Sequence, residues 1–72
     1  MSAPIAASLT ESLAGAYWQV HNIEAALSER CQEAKAYRAA IDHKARAAEA
    51  RQRAQEAEID ARALWSMPSK SA

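Results

Sequence analysis

Residues 5–23 read IAASLTESLAGAYWQVHNI, and the isoleucine that opens and closes this stretch returns at Ile41 and Ile59, each rung 18 residues from the last. Eighteen residues make about five whole turns of an α-helix, so the four isoleucines lie on one line of a straight helix. Leu9, Leu13, Ala16, Val20, Leu27, Cys31, Ala34, Ala45 and Ala48 fall within about 80° of that line at roughly 100° per residue. The pattern predicts an all-α protein: one long, nearly straight amphipathic helix over about residues 4–66, packed with other helices in an oligomeric bundle or a larger assembly. Because 18 is the sum of a seven- and an eleven-residue repeat, the stripe asks for little supercoiling.

The residues between the rungs divide the chain. Residues 1–7 read as a lead-in or fraying first turn, with Pro4 suited to a helix start and a competing Ser8/Glu11 capping box just after it. Residues 8–33 carry Leu9, Leu13, Ala16, Val20, Ile23 and Leu27 at alternating spacings of four and three, a heptad-like seam expected to be the assembly face. Over 34–66 the stripe thins to alanine plus Ile41 and Ile59, and helix propensity with the i,i+4 pairs Asp42/Arg46, Glu49/Arg53 and Glu58/Arg62 is expected to hold a stalk. Pro68 ends the pattern, leaving 67–72 as a disordered or extended tail.

Between Ser8 and Met67 there is no proline and one glycine, Gly15, a candidate bend or close-packing point. Neither Asn22 nor the Asp42-His43-Lys44 triplet has the glycine or proline usual in a hairpin loop, so a hairpin closing near Asp42 stands as the remote alternative to a rod about 90 Å long.

Composition bounds the chemistry. Twenty of the 72 residues are alanine, against four Ile, four Leu, one Val and no Phe. So few large apolar side chains predict a chain that depends on partners for stability. Nine basic residues balance nine acidic ones. Between Arg38 and Arg62 the two signs interleave around the helix, which speaks against a nucleic-acid partner. No stretch of the sequence reads as a membrane span or secretion signal, and the expected location is the cytoplasm or a particle assembled there. On one helix His21 and His43 would stand about 33 Å apart, too far to share a metal, and Cys31 has no histidine in reach to activate it. The chain is therefore read as non-enzymatic, with no cofactor, metal or small-molecule substrate.

A second feature lies off the ladder. Trp18 and Trp65 project to one side of its back face, Tyr17 and Leu64 to the other, each pair separated by 47 residues. Large aromatic residues away from a core suit a second interface. The expected function is a small structural subunit that oligomerises along the Ile/Leu stripe and attaches through Tyr17, Trp18, Leu64 and Trp65 to a larger particle, such as a phage virion or secretion-type assembly. The alternative is a regulatory inhibitor or adaptor whose residues 9–27 dock into a groove of a target protein.

Overall fold

The computed structural model describes residues 2–68 and contains two helices, α1 (Ala3–Glu33) and α2 (Tyr37–Ser66), folded back on each other as an antiparallel hairpin. The all-α class agrees with the sequence pattern; the single helix over 4–66 does not. The chain reverses at Ala34–Ala36, and the molecule measures 60 × 13 × 13 Å, well short of the expected 90 Å rod.

Helix α1 starts at the earlier of its two candidate sites. Ser2 is the N-cap with extended backbone, Pro4 occupies the first turn, and the Ala6 amide donates to the Ser2 carbonyl. Ser8 is already inside the helix, where its carbonyl accepts from the Ser12 hydroxyl, so the Ser8/Glu11 capping box is unused. At the far end of α2, Met67 turns extended ahead of Pro68. Residues 69–72 of the expected tail lie outside the described residues.

The reversal is a Schellman turn built without glycine. The Ala36 amide donates to the Cys31 carbonyl at 2.8 Å and the Lys35 amide to the Gln32 carbonyl at 3.0 Å, which satisfies carbonyls that the end of α1 would otherwise leave open. The motif needs a left-handed residue between them, and Lys35 takes that place at φ 61°. Ala34 caps α1 here, so it is a turn residue and no rung of a stripe.

What closes the hairpin is alanine. The buried side chains are Ala7 and Ala14 on α1 and Ala40, Ala47, Ala50, Ala54, Ala57 and Ala61 on α2. On α2 they form two seven-residue series, 40-47-54-61 and 50-57, the repeat that keeps one helix edge against another. On α1 the series 7-14 continues to His21 and Ser28, both half-buried. The His21 Nδ1–H donates to the Ala47 carbonyl (2.9 Å) and the Ser28 hydroxyl to the Ala40 carbonyl (2.8 Å). Mid-helix carbonyls keep a second lone pair for such bonds. A side chain reaches one only where the covering residue is small. In both bonds the residue numbers add to 68, and the His43 Nδ1–H donating to Glu24 Oε1 at 3.2 Å agrees to within one residue. The hydrogen bonds thus set the register that featureless methyl groups leave open. The stalk's expected ion pairs play no part: among the described residues the charged contacts within 4.0 Å are Arg30–Glu33 and Glu24–His43.

A non-glycine residue in the left-handed region costs about 1–2 kcal/mol. Lys35→Gly is therefore expected to raise the thermal midpoint by several degrees at unchanged helicity, measured by circular dichroism. Ala54 has no exposed surface, so Ala54→Leu is expected to force the helices apart and destabilise the hairpin by about 1–3 kcal/mol in the same assay.

Candidate assembly surfaces

The alanine seam turns the large apolar residues outward. On α1 the stripe is centred roughly 110° around the helix from the seam, on one broad side of the hairpin; on α2, Ile41 and Ile59 stand roughly 160° from it, on the outer edge. All four isoleucines are 56–68% exposed. Leu9, Leu13, Val20 and Leu27 are 39–58% exposed, with Ala16 open between them. Ala45 and Ala48 are also exposed, and Cys31 is half-buried beside the turn. The residues expected to bury one another thus form no core within the chain.

The side of α1 that carries the stripe is free of charge. Between Ile5 and Leu27 the only ionised side chains are Glu11 and Glu24, and each is bonded to α2, Glu24 by His43 and Glu11 by the indole N–H of Trp65. The result is an uncharged, apolar strip about 33 Å long at 1.5 Å per residue.

Folding back also gathers the aromatic residues that a rod would hold far apart. Trp18 and Trp65 line one groove between the helices, together with Glu11, Gly15, Glu58 and Arg62. Tyr17 and Leu64 line the opposite groove with Leu13, Arg53, Glu56 and Asp60. Trp18 is half-buried, with its ring edge-on to His21 at a centroid separation of 5.6 Å, whereas Trp65 is 53% exposed. The turn likewise brings His43 and Glu24 into contact, although His43 lies 19 residues further along the chain. Among the described residues no group of three or more His, Cys, Asp or Glu is placed to hold a metal ion, and no helix is long and apolar enough to cross a membrane.

Gly15 sits in this tryptophan groove in ordinary helical conformation. A methyl group added there would meet no atom within 4 Å, so close packing within the chain does not explain a glycine in so alanine-rich a helix.

The seam itself was the feature that sequence reasoning missed. Its signal was present in the exact sevens of Ala40, Ala47, Ala54 and Ala61, and in His21 and Ser28 continuing the period of Ala7 and Ala14. No protein-family model, curated protein or solved structure matches the chain.

With open space at its Cβ, Gly15→Ala is expected to stabilise the isolated hairpin by about 0.5–1 kcal/mol, read from urea denaturation. A destabilised variant would show that the site is more crowded than this geometry.

Proposed function

We propose that this protein is a non-enzymatic assembly subunit: a helical hairpin that oligomerises through the Ile/Leu stripe of α1 and attaches to a larger particle, of the phage virion or secretion type, through the groove holding Trp18 and Trp65. The observation that carries the reading is the inversion of size. Methyl groups fill the seam between the helices, and the leucines and isoleucines stay on the surface. A buried alanine methyl contributes about 0.8 kcal/mol and a buried leucine or isoleucine about 1.5–3 kcal/mol, so the chain's largest reserve of burial energy is unused in the single hairpin.

Surface area supports the same reading. The accessible surface is 5596 Å² for a chain of 7.8 kDa, where a compact monomer of that mass exposes about 4,400 Å². One stable interface covers about 800 Å² on each partner, less than the roughly 1,200 Å² of excess. The docking of residues 9–27 into a foreign groove would use the same stripe. It differs in leaving the protein alone in solution.

Ile23 is 60% exposed and outside the seam, so Ile23→Asp is expected to leave the hairpin helical while abolishing self-association, seen as a fall from oligomer to monomer mass by light scattering. A wild-type protein that is already a folded monomer at high micromolar concentration would instead favour the adaptor.

A further inference from the structure

Resting on the assembly reading, we propose that the α1 stripe is covered by the same stripe of a second copy, running antiparallel, about a twofold axis at the level of residues 18 and 50. The stripe is a palindrome. Ile5, Leu9, Leu13, Ala16, Val20, Ile23, Leu27 and Cys31 are spaced 4-4-3-4-3-4-4, which reads the same from either end. Reversal about position 18 sets Leu9 beside Leu27, Leu13 beside Ile23, and Ala16 beside Val20. Along the middle of the stripe each large residue meets a large one and Ala16 meets Val20, while at either end Ile5 meets Cys31. Such self-complementarity is what a twofold interface requires, because every contact in it occurs twice.

Helix α2 has its centre at the same level. The hairpin register pairs residues whose numbers add to 68, which puts residue 50 level with residue 18. Ile41 and Ile59 lie nine residues to either side of 50, as Leu27 and Leu9 lie nine to either side of 18. One axis therefore relates the two isoleucines of α2 as well as the stripe of α1.

Charge selects this arrangement over the competing one. The groove beside the stripe is walled on α2 by Arg46, Glu49, Arg53, Glu56 and Asp60. Stacking antiparallel, α1 on α1 and α2 on α2, reverses this wall about residue 50 and brings Arg46 within two residues of the level of the second copy's Glu56, and Arg53 within two of its Glu49. A twofold axis along the rod would instead press each uncharged stripe onto the other copy's charged α2 wall and strip water from those ions for no return. The antiparallel pair also opposes the macrodipoles of the two α1 helices.

Cys31, the only cysteine, tests the proposal in the native sequence. It stands 13 residues from the axis, so nitroxide labels on the two copies should give an electron–electron distance of about 40 Å, alongside an even-numbered oligomer by light scattering. An oligomer with labels within about 20 Å means parallel pairing: the antiparallel inference fails and the assembly reading stands. A monomer overturns both. Because Cys31 is half-buried, the measurement is repeated with Gln32→Cys, at an exposed position, in a Cys31→Ser background. That variant should again give about 40 Å.

Discussion

The rest of the molecule depends on how closely two alanine-lined helix edges approach. With methyl groups along the α2 edge, its backbone comes within reach of side chains from α1, and the Ala47 and Ala40 carbonyls accept from His21 and Ser28. A leucine seam would hold the helices further apart and keep those carbonyls out of range. The two bonds also solve the problem that alanine creates, since a row of identical methyl groups slides from one register to the next with little change in packing. Fixing 21 against 47 and 28 against 40 decides which faces of both helices look outward. Through that choice the register determines where every larger side chain stands.

In this chain side-chain size separates the seam from the outer surfaces. Its small residues and a few hydrogen bonds make the hairpin, whereas its isoleucines, Leu9, Leu13, Leu27 and Trp65 lie on surfaces that the hairpin does not cover. The radius of gyration is 16.6 Å, where a compact chain of 72 residues has about 11 Å. A rod of that shape offers long faces, which suits packing against other rods. Anything that binds the folded hairpin and not the unfolded chain adds to its stability by mass action. A second copy bound on the stripe would stabilise the hairpin in this way, by an amount that rises with the logarithm of its concentration.

Helix content, the outward stripe and both groupings of aromatic residues could be read from the sequence, because each depends on the angle around a helix, and this angle survives the chain reversal. The reversal itself could not. Its signal is normally glycine, and Lys35 adopts the left-handed conformation at the cost of strain that no residue type announces. The seam was hidden for a different reason: with 20 alanines in 72 residues, a seven-residue series of alanine has little contrast with its surroundings. The larger side chains drew the core to the wrong face. In most helical proteins that inference is sound because large residues offer the most burial energy. Here the isoleucines and three of the four leucines stand on exposed faces instead.

The two sides of the hairpin differ in a way that bears on how an assembly grows. The stripe of α1 and the groove of Tyr17 and Leu64 share one broad side, and the groove of Trp18, Trp65 and Gly15 occupies the other. In the antiparallel pair the first side is consumed at the twofold interface, and each copy presents its tryptophan groove outward, on opposite faces of the dimer. A pair so built is bivalent. Two grooves held rigidly apart engage two sites on one particle only when the sites match their separation, and the gain in avidity is lost when they do not. Under the proposed assembly Gly15 would keep the floor of the groove open for a partner's backbone or ring, between Trp18 and Trp65.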